Sequence, residues 1–177
     1  AWLDETFYTV HIGTDTQYGV GENEDGDQNG SLARAWQQRA RNIGAHAATA
    51  PWLVFCDADN LLLEGFAAAI DALRAPNVFI RPYRESADGP MAVPFPLACE
   101  REVYRAVGGF DDALEGWATE DWEFVDRLLR HGVVQRLFPV RLVGILDHDD
   151  SARTLFYEET MQVSRLVGHF YARIKAR

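Results

Sequence analysis

Short apolar runs alternate with segments of helical periodicity along the chain, and that alternation predicts an α/β protein. The expected architecture is a three-layer sandwich around a mostly parallel sheet. Two features set this class. Trp52-Leu53-Val54-Phe55-Cys56 is a continuous apolar run, the pattern of a strand buried on both faces. Glu120 to His131 is a strongly amphipathic stretch with Trp122, Val125, Leu128 and Leu129 on its apolar side and Gly132 as its stop.

The remaining elements follow in chain order. Phe7 to Gly13 is rich in β-branched and aromatic residues and reads as a strand. Gln17 to Gly30 is Gly-, Asn- and Asp-rich and reads as a loop. Ser31 then suits the cap of a helix carrying Leu32, Trp36, Ile43 and Ala47 on one face, closed by Pro51. Phe66, Ile70 and Leu73 mark the next helix, and Asn77 to Pro82 the next strand. Tyr83 to Pro96 has one Gly and three Pro and reads as a long loop. Leu97 to Val107 starts as a strand and becomes a short helix before Gly108-Gly109. Val133 to Ile145 gives one or two strands around Pro139. The tail has Val163, Leu166, Val167, Phe170 and Ile174 at helical spacing.

Composition narrows the function. The 177 residues suit a single domain, and 47% hydrophobic with 25% charged residues is a globular balance. With 27 acidic against 17 basic residues, the net charge is -10, which lacks the basic face that nucleic-acid binding requires. A phosphate-bearing small molecule stays compatible, because a metal ion supplies positive charge. Cys56 and Cys99 are the only cysteines, so neither a disulfide framework nor a cysteine-only zinc site is expected. Asn42 to Cys56, the longest stretch without charge, is too short and polar to span a membrane. With no signal-peptide pattern visible either, a cytoplasmic location is expected.

Three constellations bear chemistry. Asp57-Ala58-Asp59, a D-x-D motif, follows the most apolar strand, where α/β sheets bind ligands. Two close carboxylates repel unless a cation neutralises them, and their oxygens suit Mg²⁺ or Mn²⁺. The same pair would also serve as caps for the helix that follows. Gly108-Gly109-Phe110-Asp111-Asp112 leads to Gly116-Trp117-Ala118-Thr119-Glu120-Asp121, with Glu120 and Asp121 in the first turn of a helix. There the macrodipole stabilises negative charge, so a plain helix N-terminus capped by Thr119 explains them as well. Trp117 adds an aromatic platform for a sugar face beside carboxylates that take its hydroxyls. Asp147-His148-Asp149-Asp150 closes the last apolar run.

Taken together these motifs resemble the GT-A glycosyltransferases. Asn42-x-Gly44, Ala47-Ala48, the apolar strand and Asp57-x-Asp59 are similar to the first half of that domain. Gly108-Gly109-Phe110-Asp111, Gly116-Trp117-x-x-Glu120-Asp121 and Phe124-x-x-Arg127-Leu128 are similar to the second half. The type resembled is that of the β-1,4-galactosyltransferases and polypeptide N-acetylgalactosaminyltransferases, over about Phe7 to Arg153. This resemblance implies a metal-dependent transferase that moves a sugar from a nucleotide-sugar, UDP-linked, to a hydroxyl on a glycan, protein or small molecule. It implies Asp59, Asp57 and His148 as ligands of Mn²⁺ or Mg²⁺, Asp121 as general base and Glu120 as a sugar-hydroxyl ligand. Asp15 corresponds to a uracil or ribose contact, and Arg41 and Asn42 lie on the helix that faces the nucleotide.

A transition state of oxocarbenium character with one carboxylate activating the nucleophile predicts inversion at the anomeric carbon. The family's first strand-helix unit has no counterpart before Phe7, so a trimmed chain, a compact version or a partner chain is expected. A homo-oligomer built on an open sheet edge fits the same gap. Thr119 stands where the galactosyltransferases carry Gly. Tyr83–Pro96 or Val20–Asn29 would close over a donor, and a plain connector explains either loop as well. Two other readings use the same residues: a two-metal nucleotidyltransferase or phosphatase, and a binding module that holds UDP or glycan without transfer.

Overall fold

A computed structural model describes residues 7–12, 29–57, 59–114, 119–146 and 161–175. Strand β1 (Phe7–Ile12) and helix α1 (Asn29–Ala47) precede β2 (Trp52–Asp57), β3 (Asn60–Leu62) and α2 (Phe66–Leu73). After β4 (Val78–Arg84), β5 (Met91–Ala92) and β6 (Leu97–Glu100) come α3 (Arg101–Ala106) and α4 (Glu120–Arg130). The chain continues through β7 (Val134–Pro139) and β8 (Val143–Ile145) to α5 (Met161–Lys175). None of the described helices is long and apolar enough to cross a membrane.

The main sheet runs β1-β2-β6-β4-β5, with β7 also on β4. Parallel pairing of β1 with β2 and of β4 with β7, and antiparallel pairing of β6 with both β2 and β4, give β1, β2, β4 and β7 one common direction. The sheet is therefore mixed at its centre, because β6 returns between β2 and β4 by a short connection that only an antiparallel strand allows. Both faces of β2 are covered. Trp52 and Val54 pack with Phe66, Ile70, Ile80 and Phe138 on one side. Leu53 and Phe55 pack with Tyr104, Phe110, Phe124 and Leu128 on the other. Period-2 alternation assigns these residues to opposite layers.

Several boundaries move. Helix α1 starts at Asn29, so Ser31 lies in its first turn instead of capping it. Within Tyr83–Pro96 the chain forms the end of β4 and its hairpin partner β5. β3, too short to announce itself, is held by antiparallel pairing with β8. On α4 the buried side is rotated from the expected one. Phe124, Val125 and Leu128 are inside with Glu120 and Glu123, whereas Trp122 and Leu129 are half exposed. Glu123 is tolerated there because Arg127 grips it through Nε at 2.6 Å and Nη2 at 2.7 Å. Val163, Leu166, Val167, Phe170 and Ile174 of α5 are exposed. That helix meets the body through Gly168, which abuts Thr119, and through Tyr171 and Lys175, which bind Asp111.

The turn at Gly108-Gly109 has a strict steric requirement. Gly109 has φ +68°, and a Cβ there would sit 2.7 Å from Asn42 Oδ1 and 3.0 Å from the Tyr104 hydroxyl. Gly132 also has positive φ (+75°), yet a Cβ would meet nothing within 4 Å. Gly109→Ala should cost about 1–3 kcal/mol from its backbone alone, with the clash added, and Gly132→Ala the backbone part only. Urea unfolding of the two variants checks this; equal losses would mean that the Asn42–Tyr104 contact is unimportant.

Candidate active site

Helix α1 presents Gln38, Arg41 and Ala45 on one buried side, and Ala48 is buried just past its end. Arg41 is 2% exposed and is the point where separate segments meet. Its Nη2 donates to Asp57 Oδ1 at 2.9 Å, and its Nη1 donates to Asp121 Oδ1 at 3.1 Å. Glu120 Oε1 lies 4.0 Å from the same Nη1. The rings of Phe95 and Phe110 flank the guanidinium at 4.6 and 4.9 Å, so it is both charge-paired and in contact with aromatic rings.

One cation thus faces three carboxylates. Burial pulls the Arg41 guanidinium down, but Asp121, Asp57 and Glu120 outweigh it and hold the group above its usual value. Burial and the Glu120 charge push Asp121 well above the usual carboxylate range despite Arg41. Burial likewise raises Glu120, whose Oε2 accepts the Thr119 backbone N–H at 2.9 Å. Asp121 keeps 16% of its side chain exposed. A buried, partly accessible carboxyl with a raised pKa is suited to taking a proton.

Asp57 ends β2 with 29% of its side chain exposed. Asp59 follows in the turn before β3, where its Oδ1 accepts from Asn60 Nδ2 at 2.8 Å. Its carbonyl accepts the Leu146 N–H at 2.7 Å, so the β3–β8 pair delivers the chain to Asp59 one residue before Asp147-His148. No group of three or more His, Cys, Asp or Glu among the described residues is arranged to hold a metal ion. The described part of the candidate metal set is Asp57 and Asp59, hard oxygen donors that suit Mn²⁺ or Mg²⁺. His148, Asp15 and Trp117 lie outside the described residues.

Arg41 and Asn42, expected to face a nucleotide, are committed elsewhere. Arg41 is sealed in the ion cluster. Asn42 clasps the Gly-Gly-Phe turn: Oδ1 accepts from Phe110 N at 2.9 Å and from the Tyr104 hydroxyl, and Nδ2 donates to Phe110 O at 2.9 Å and Asp112 Oδ1 at 2.6 Å. This clasp places the Phe110 ring against Arg41. Asp111, part of the Gly-Gly-Phe-Asp motif but given no role there, accepts from the Tyr171 hydroxyl at 3.0 Å and Lys175 Nζ at 2.5 Å, tying α5 to the same turn. The readable signal for Arg41 was its place on the buried side of α1, where an unpaired charge is not sustainable.

Residues 96–172 match the family described as the N-terminal domain of galactosyltransferase. Drosophila β-1,4-galactosyltransferase 7 in complex with manganese, UDP-Gal and xylobiose superposes with a TM-score of 0.52 at 15% identity. The catalytic domain of the same Drosophila enzyme with xylobiose gives 0.54 at 16% identity. The chain has a galactosyltransferase-like GT-A fold. Both superpositions cover 72% of this chain and 59% of the other, so it spans a little over half the length of those structures. No curated protein sequence matches it.

In this GT-A-like fold the raised carboxyls have a measurable consequence. Asp121 and Glu120 titrate above their unfolded values, so the folded protein retains protons that the unfolded chain releases. The stability this gives is complete below the ordinary carboxylate range and is lost as pH rises through the raised values. Asp121→Asn should therefore be more stable than wild type at neutral pH, with the difference shrinking toward acid pH. Urea titrations across that range measure it. A variant less stable by the same amount at every pH contradicts the assignment.

Proposed function

We propose that the chain is a metal-dependent, inverting glycosyltransferase that moves a sugar from a UDP-sugar donor to a hydroxyl acceptor. The observation that carries this reading is the placement of the D-x-D carboxylate Asp57 and the acidic pair Glu120-Asp121 on the single guanidinium of Arg41. On this reading a donor-binding side and a proton-accepting side, distant in sequence, would meet at the carboxyl end of β2. The GT-A-like fold and the family match over 96–172 support it.

Asp57 and Asp59 would hold Mn²⁺ or Mg²⁺, and His148 would join them from the segment that leaves Asp59 at Leu146. The ion supplies positive charge against the leaving diphosphate. Asp57 has one oxygen occupied by Arg41, so its position is fixed before any ion binds. Asp121 accepts the proton of the acceptor hydroxyl as that oxygen attacks the anomeric carbon from the face opposite the leaving group, which inverts the configuration. Its raised pKa strengthens it as a base, and Arg41 keeps its Oδ1 aligned. Glu120 is 5% exposed and lies against Arg41, so it supports the charge balance of the cluster more directly than it reaches a sugar hydroxyl. Asp15 and Trp117 are proposed to contact the nucleotide and a sugar face.

Calorimetric titration of UDP with Mn²⁺, and again with EDTA, tests the donor side. Binding should require the metal and be lost in Asp59→Ala. In Asp121→Asn donor binding should be retained while turnover of a UDP-sugar falls by about 10²–10⁴-fold. Metal-independent binding, or equal loss of binding in both variants, contradicts the division of labour. Nucleoside triphosphate turnover without sugar transfer would favour a nucleotidyltransferase instead.

A further inference from the structure

A second buried guanidinium has no counter-charge among the described residues. Arg81 of β4 is 6% exposed, and its Nε donates to Gln135 Oε1 at 2.9 Å. Its Nη1 has no hydrogen-bond partner, and no described carboxylate pairs with it. Burial alone lowers its pKa. Buried charges are ordinarily paired, because an unpaired one loses solvation that nothing returns. Arg81 instead lies 5.3 Å from the ring of Trp122 and 6.0 Å from that of Phe79. Trp122 is 44% exposed, a large aromatic surface in the turn of α4 that carries Asp121.

Register places this pair beside the candidate active site. Phe55 is opposite Leu97 across β2–β6, and the β6–β4 register that pairs Ala98 with Ile80 brings Leu97 level with Arg81 one step on. Phe79, two residues before Arg81, packs with Phe55 and Phe124, so Arg81 shares a sheet face with Phe55 and Asp57. Two strand spacings sideways and two residues along put the Asp57 and Arg81 Cα atoms on the order of 12 Å apart. That interval is the scale of one or two sugar rings.

We propose that Arg81 and Trp122 form an anion subsite beside Asp121, which takes the carboxylate or phosphate of a charged sugar. The sugar's apolar face lies on the Trp122 indole, and its anionic group forms charge-assisted hydrogen bonds with the guanidinium. The indole stands 5.3 Å from the guanidinium, and a rotamer change of the kind common at recognition surfaces opens Arg81 to the anion. This deepens the transferase reading by assigning the acceptor class, and it rests on Asp121 as base only for the subsite's place in the reaction.

The test is calorimetric titration of glucuronate, glucose 6-phosphate and glucose, with and without UDP and Mn²⁺. At least one anionic sugar should bind on the order of tenfold or more tightly than glucose, as one charged hydrogen-bonded pair supplies. Whichever one is preferred identifies carboxylate or phosphate as the natural group. Arg81→Gln should abolish the preference, and Arg81→Lys should keep part of it. Trp122→Ala should weaken all three sugars together. Arg81→Gln should also melt no lower than wild type, since it removes an uncompensated charge. A wild type that does not discriminate, a preference that survives Arg81→Gln, or a marked fall in that variant's melting temperature overturns the proposal. Preference without any UDP binding would instead sink the transferase reading and leave the subsite standing.

Discussion

The Arg41 guanidinium is the contact on which the rest of the candidate site depends. It binds Asp57 on one side and Asp121 on the other, with Glu120 at 4.0 Å, and it does so at 2% exposure. Three carboxylates gathered without it would repel one another in a poorly solvated space. Removing one partner from a buried pair is typically costly because the other charge is left uncompensated. The cluster is therefore a constraint as much as a bond. It fixes the end of β2 relative to the start of α4, and those two points carry the proposed metal motif and the proposed base.

Neighbouring segments hold that geometry rigidly. Asn42, next to Arg41 in α1, uses both ends of its amide on Phe110, and Phe110 in turn lies against the guanidinium. The positive φ of Gly109 and the lack of space at its Cα allow the turn to approach Asn42 this closely. From the other side α5 reaches Asp111 through Tyr171 and Lys175, while Gly168 abuts Thr119 immediately before Glu120. Lys175 also stands 3.6 Å from Glu123, the buried partner of Arg127. Such a supporting shell would keep the proposed reacting groups within the narrow tolerances that catalysis demands. Arg41 and Arg81 make a pair of opposites within it. One cation has more counter-charge than it needs, and the other has none among the described residues.

Much of this was legible in the sequence, for physical reasons that differ from element to element. The apolar run before Asp57 could only be a strand covered on both faces, and it is. The amphipathic stretch from Glu120 was long and regular enough to identify α4, although its orientation was not. Trp122 has the hydropathy of a core residue, while Glu120 and Glu123 do not, so periodicity turned the helix the wrong way. Their burial depends on Arg41 and Arg127, and side-chain pairing leaves no trace in a hydrophobic pattern. The antiparallel insertion of β6 was equally hidden, because strand order in space is not strand order in sequence. Resemblance singled out Arg41 but turned it toward a nucleotide, whereas two carboxylates 16 and 80 residues away hold it. The D-x-D motif and the acidic pair were visible separately, and only the fold joins them.

The most direct measurement of that junction is a double-mutant cycle of Asp57→Asn and Asp121→Asn, read by urea unfolding in wild type and again in Arg41→Met. With Arg41 present, the two substitutions should be non-additive by about 0.5–3 kcal/mol, as expected for groups sharing one partner. In Arg41→Met that coupling should largely vanish. Additive effects in the presence of Arg41 would mean that the proposed metal motif and the proposed base are independent, and would contradict the account.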